Sequence, residues 1–178
     1  QKPSRFDPAE VVYIKSMLQG VLPVKMRESL VDHLFERFIS NDEQSLVPEM
    51  YASEDQIREM VKAGMYVGSH GVNHFWMNNI PTQLQIKEVD GSLSFMESIG
   101  ASTRNWVMCY PYGRYNDRLV KICREKEAKL GITTKFDIAD LDADDAMLLP
   151  RLDTNDFPKR SDEAPCKWTV EVSSLSQN

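Results

Sequence analysis

Two of the chain's three histidines, His70 and His74, lie four residues apart in Gly68-Ser69-His70-Gly71-Val72-Asn73-His74, directly after the apolar run Met65-Tyr66-Val67. That run is predicted to be a short strand. A strand ending in His-x-x-x-His aims two imidazoles at one point, and neutral imidazole is the commonest protein ligand for zinc-like metals. Histidines also fall at this spacing by chance, so the reading needs support from elsewhere in the chain.

Two further segments supply it. Trp106-Val107-Met108-Cys109-Tyr110 reads as a buried strand running into Pro111-Tyr112-Gly113, a rigid turn with exposed backbone amides. Leu148-Leu149-Pro150-Arg151-Leu152-Asp153-Thr154-Asn155-Asp156 again ends a short apolar run in clustered charge. Three strand ends carrying polar chemistry form a site-like pattern.

The elements that must position these ends follow from caps and periodicity. Asp7 and Pro8 mark the start of a helix over residues 8 to 19, with the Asp7 carboxylate as cap and Gly20 as stop. Pro23 opens a second helix, in which Leu30, Leu34, Phe35, Phe38 and Ile39 form an apolar stripe that must bury against something, with His33 beside it as an ordinary helix residue. Ser53 and Gln56 fit a capping box and Gly64 a helix stop, so a helix between them feeds the strand before His70. Helices are expected over 82 to 99, despite Gly91, and over 116 to 129; strands are expected over 106 to 110 and 131 to 135. Such alternation implies a mainly parallel sheet wrapped by helices, with functional residues at the carboxyl ends of strands. The acids between Asp137 and Asp145 read as a solvated loop, and the polar tail from Lys159 to Asn178 as a segment prone to fray.

At 178 residues the chain is long enough for one domain with a substantial core. Hydrophobic and charged fractions of 42% and 27% are those of an ordinary globular protein. No apolar run approaches the length that spans a bilayer, and Gln1 to Arg5 lead into no signal-type segment, so no membrane partner is expected. A net charge of −6 argues against nucleic acid, whose phosphates need a basic face, and leaves neutral or cationic glycans compatible. Cys109, Cys123 and Cys166 are odd in number, widely spaced and without a CxxC pair, so neither a disulfide framework nor a cysteine zinc site is expected. Reduced thiols fit a cytoplasmic protein.

Taken in order, Ser69 to His74, Tyr110-Pro111-Tyr112-Gly113 and Arg151-Leu152-Asp153 resemble the motifs of the polysaccharide deacetylase family, which includes chitin, peptidoglycan and chitooligosaccharide N-deacetylases. The resemblance covers roughly Tyr51 to Phe157. It implies a distorted or incomplete (β/α) barrel, TIM-like in kind, as a single domain: a helical region over 1–52, a motif-bearing core over 53–157 and a polar tail over 158–178. It also implies a hydrolase that removes N-acetyl groups from a carbohydrate. A divalent metal, with zinc expected, would be held by His70 and His74 and would supply a strong nucleophile by acidifying water to a pKa of about 7. The Tyr112 backbone amide would steady the developing oxyanion, an interaction that matters by roughly a hundredfold or more in rate. Tyr110, Pro111, Tyr112 and Gly113 would line the sugar groove, and Arg151 with Asp153 would supply charge for the proton transfers.

The sequence departs from the family pattern in defined ways. The amino-terminal paired aspartates have no counterpart, since Asp144-Asp145 is the one Asp-Asp pair and follows the other motifs. No histidine follows His74, so the late acid is absent, and Asp153 or Asp156 is its candidate replacement. Gly71 replaces Ser or Thr, Phe75 replaces Pro, and Cys109 stands where one branch carries Arg. The chain thus reads as lacking the opening βα unit, which would expose a barrel edge and favour self-association or low stability. Two other readings stay open: a glycan-binding relative without catalysis, and an amidase acting on a non-sugar amide.

Overall fold

The computed structural model describes residues 2–4 and 6–175 of the chain. Four helices come first: α1 (Ala9–Ser16), α2 (Val24–Phe38), α3 (Glu43–Met50) and α4 (Glu54–Lys62). They are followed by α5 (Thr82–Ser98), β1 (Val107–Cys109), α6 (Asp117–Glu125), β2 (Leu130–Phe136), β3 (Leu149–Arg151) and α7 (Lys167–Leu175). The strands form one parallel sheet in the order β1-β2-β3. Met108 lies opposite Gly131, and Ile132 opposite both Cys109 and Leu149. This is a partial α/β fold of the kind the alternating pattern predicts.

Apolar side chains from α5, α6 and the strands close over one another. Met77, Val89, Met96, Trp106, Met108, Leu119 and Cys123 form the heart of a single core. Asn116 caps α6 by accepting from Leu119 N–H at 2.9 Å, and α6 turns Leu119, Val120, Ile122 and Cys123 inward at helical spacing. The expected capping box at α4 is present in both halves, at 3.2 Å and 2.8 Å.

Four expectations need correction. Residues 65–67 pair with no strand; the Val107 N–H that would begin a ladder is taken by the Tyr66 hydroxyl at 2.7 Å. Parallel pairing to β1 is reduced to a single bridge, Ser69 to Met108. The first helix ends at Ser16 and widens into a π turn over Met17–Val21, while Asp7 caps nothing and instead pairs with Lys15 at 2.7 Å. The α2 stripe is not buried: no α2 residue is, and Phe38 and Ile39 are 68% and 66% exposed. Periodicity reports an amphipathic face, not what covers it. Finally, the polar tail forms α7 over Lys167–Leu175, because Trp168, 7% exposed, finds an apolar partner in Phe136 with rings 5.1 Å apart. The last three residues of the tail, 176–178, lie outside the described residues.

Gly131 sits in β2 where a Cβ would run into the Met147 carbonyl and come within 2.7 Å of Tyr110 Oη. Gly131→Ala is therefore expected to destabilise the fold by about 1–3 kcal/mol, read from urea midpoints. A second prediction concerns the loop before β3. The Met147 N–H at 2.9 Å, and then Arg124 Nη2 at 2.7 Å from both carboxylate oxygens, hold Asp145 below the usual carboxylate range. A depressed folded pKa contributes stability that is present above the unfolded value and lost as pH falls through the folded one. Asp145→Asn should accordingly flatten the stability-versus-pH curve below about pH 4 while leaving its neutral limb in shape.

Candidate active site

The histidine segment is tied to the sheet through Ser69. Its N–H donates to the Val107 carbonyl and its carbonyl accepts from Cys109 N–H, each at 2.9 Å. Its buried hydroxyl meets Ser92 Oγ of α5 at 2.6 Å. From this anchor the chain turns sharply, with positive φ at Gly71 (75°) and again at His74 (54°). Inside the turn, Val72 and Asn73 N–H both donate to Glu88 Oε2 at 2.8 Å, and Asn73 Nδ2 donates to Glu88 Oε1 at 2.6 Å.

The turn brings the two imidazoles together. His70 Nδ1 lies 2.6 Å from the Cys109 carbonyl, an acceptor, so Nδ1 carries the proton and Nε2 presents its lone pair outward. His70 Nε2 and His74 Nε2 stand 3.0 Å apart. Two nitrogens bound to one tetrahedral zinc at about 2.0–2.1 Å would be separated by roughly 3.3 Å, so the donor set fits half of such a site. A ligating histidine commonly gives its other ring N–H to a carbonyl, as His70 does. Among the described residues no group of three or more His, Cys, Asp or Glu side chains is placed to hold a metal. Partial burial, then the neighbouring His70, pulls the pKa of His74 below its ordinary value, which keeps the ring neutral at physiological pH.

The Pro-Tyr-Gly segment forms a short 3₁₀ turn at the end of β1, with Tyr112 in the left-handed region (φ 55°, ψ 14°). Gly113 N–H to Tyr110 C=O (2.8 Å) and Arg114 N–H to Pro111 C=O (2.9 Å) close the turn, and neither bond uses the Tyr112 amide. The left-handed step sends neighbouring side chains to opposite destinations. Tyr112 stacks obliquely on His74 with ring centroids 4.5 Å apart and meets the Trp76 edge at 6.1 Å. Tyr110, 2% exposed, packs in the core beside Tyr115, and burial drives its phenol pKa up. Pro111 is buried as well, so of the four residues expected to line a groove only Tyr112 and Gly113 reach the surface.

His74, Asn73, Phe75 and Tyr112 form one wall of a cavity of about 720 Å³, whose other wall comes from α2 and α3 through Arg27, Glu28, Asp32 and Glu43. Arg151, the last residue of β3, lines a different cavity of about 610 Å³ with Asp137, Phe157 and Trp168. The Asp153 carboxylate caps the following 3₁₀ turn by accepting from Asn155 N–H at 2.8 Å, and Asp156 accepts from Asp153 N–H at 2.9 Å. The structure thus joins His70, His74 and Tyr112, and places Arg151 and Asp153 apart from them. The cysteines are free, and burial pushes the Cys123 thiol up to about 12, which keeps it protonated.

Sequence reasoning missed Glu88 and the α2 wall. Glu88 had a legible signal: Gln85, Glu88, Val89, Ser92 and Met96 form the buried stripe of α5, and a carboxylate within such a stripe must have donors. The α2 wall left no signal, because it depends on how a separate helix docks.

Gly113, at φ 64°, has Thr134 where its Cβ would go, with the threonine Cγ2 at 3.0 Å and its hydroxyl nearer still. Gly113→Ala should cost about 1–3 kcal/mol. Adding Thr134→Ala removes the hydroxyl and methyl contacts but keeps the residue 134 Cβ at 2.9 Å, so it should recover only part of the loss and leave the backbone part, a difference that melts of the single and double variants will resolve.

The sequence matches the family model described as polysaccharide deacetylase over residues 33–133, more than half of the chain. It is 26% identical over 92 residues to the Bacillus subtilis (strain 168) protein YxkH, named as a polysaccharide deacetylase, a match covering 52% of this chain and 33% of that one. The fold superposes on the Streptococcus pyogenes deacetylase PplD, solved in complex with acetate, with a TM-score of 0.53 and 30% identity over 60% of this chain and 48% of PplD. The chain therefore spans about a third of one relative and about half of the other. On the family match, its motifs and this geometry, the chain belongs to the polysaccharide deacetylase family.

Proposed function

We propose that the chain carries the histidine half of the active site of a metal-dependent carbohydrate N-deacetylase, on a single domain that forms part of a deacetylase-type barrel. One observation carries this reading: His70 and His74 converge through Nε2 at 3.0 Å, beside Tyr112 and at the wall of a cavity large enough for a sugar ring. The reaction adds water across the acetamide C–N bond and releases acetate and a free amine. PplD, a deacetylase solved with acetate, supports an acetyl-bearing substrate.

A divalent metal, for which zinc suits two neutral imidazoles, would supply Lewis acidity toward the amide carbonyl and a nucleophile at neutral pH. The chain's own groups do the rest. His70 is held in its ligating tautomer by the Cys109 carbonyl. The Tyr112 amide is assigned to the oxyanion, with preorganisation from a turn whose closing bonds leave it uncommitted. The Tyr112 ring, at the cavity wall with Gly113 beside it, offers the apolar surface on which a pyranose face packs. Arg151 and Asp153 are assigned to charge and proton transfer, a reading supported by their position at the carboxyl end of β3, the same edge of the parallel sheet that carries the turn after β1.

Metal per chain, measured by elemental analysis after purification without chelator, tests the reading beside acetate release from an N-acetylated amino-sugar oligomer. Near-stoichiometric metal in the parent, lost in both His70→Ala and His74→Ala, is the expected result. Metal that survives both substitutions, or a parent that binds none when zinc is supplied, would remove the site.

A further inference from the structure

We infer that Glu88 is a positioning residue for the histidine pair: its carboxylate takes the place of an anion inside the turn 71–74 and thereby sets where His74 points. The inference rests on the metal-pair reading above for its purpose, but not for its geometry.

Glu88 is 2% exposed, yet no ion pair to it is present among the described residues. Its carboxyl oxygens accept from three N–H donors, those of Val72, Asn73 and the Asn73 side chain, at 2.8, 2.8 and 2.6 Å. Successive backbone N–H groups converging on one oxygen form an anion-binding nest, and here the anion is internal. The nest explains an otherwise costly backbone. His74 adopts φ 54°, a conformation that a residue with a Cβ keeps only when its surroundings over-determine it. The two N–H groups immediately before His74 are the ones that Glu88 fixes. Holding α5 against the sheet does not need this carboxylate, because Val89, Met96 and the Ser69–Ser92 hydroxyl contact already do so. What depends on it is the path of the chain from Gly71 to His74. Such supporting partners commonly matter about 10- to 100-fold in metal affinity.

The requirement is for an acceptor of this length. Glutamine keeps one carbonyl oxygen for the two backbone N–H groups, and methionine keeps the volume with no strong acceptor. The full chain, metal-free, is compared as parent, Glu88→Gln and Glu88→Met, with melting curves as the check on folding. The readouts are the nuclear Overhauser contact between the His70 and His74 rings, the hydrogen exchange of the Val72 and Asn73 amides, and a zinc titration. The parent and Glu88→Gln should show the ring contact and slow exchange at both amides. Glu88→Met, folded, should lose both and bind zinc about 10- to 100-fold more weakly. A parent that binds no zinc, with the ring contact present and lost in Glu88→Met, refutes the metal reading and upholds Glu88. A folded Glu88→Met that keeps the ring contact overturns the inference. So does fast exchange of Val72 and Asn73 in the parent, which needs no variant to fold.

Discussion

Cys109 has its N–H bonded to the Ser69 carbonyl at 2.9 Å while its own carbonyl accepts from His70 Nδ1 at 2.6 Å, so one residue of β1 fixes both the backbone entering the histidine turn and the first ring of the pair. The rest of the site is built outward from this residue. Its neighbour Met108 is buried, and its register with Ile132 continues the sheet toward β3. A ring whose tautomer is set by a strand carbonyl is as rigid as the strand, and the strand is as rigid as the core beneath it.

The Pro-Tyr-Gly turn shows how closely core and site are interleaved. Tyr110, directly after β1, lies inside the core, and two residues later Tyr112 lies against His74. A left-handed residue followed by a left-handed glycine makes the switch within one turn. The residues expected to act as one groove motif therefore divide: Tyr110 and Pro111 hold the turn down, and Tyr112 and Gly113 face outward. This economy has a steric condition, since Thr134 fills the space beside Gly113.

The amino-terminal helices contribute differently. They bury no residue completely, and much of their apolar surface faces solvent, yet Arg27, Glu28 and Asp32 of α2 form the wall opposite His74. Arg27 lies over the Phe75 ring at 5.9 Å, and Arg114 over Trp76 at 4.7 Å, so cations and aromatic rings, rather than an apolar seam, line the junction. Contacts of that kind are individually weak, so the cavity has one wall anchored in the core and one held lightly.

Local chemistry was readable along the chain because it depends on near neighbours. The α4 capping box, the Asn116 helix start, the alternation of helices with parallel strands, and the spacing that joins His70 to His74 all follow from residues within a few positions of one another. The bounds of the weaker elements were not readable. Residues 65–67 have a strand's composition, but the hydroxyl of their own Tyr66 takes the N–H of Val107, forty-one positions away, and the polar tail becomes a helix over Lys167–Leu175 where Trp168 meets Phe136. Nor could spacing divide the site. Arg151 ends β3 and Asp153 lies just beyond it, much as Pro-Tyr-Gly follows β1, and only the folded chain gives Arg151 a separate cavity and Asp153 a local capping task. Periodicity and caps are set by covalent neighbours, whereas the occupant of a buried donor's acceptor, such as Glu88 for the histidine turn, is decided when distant segments close on each other and exclude water.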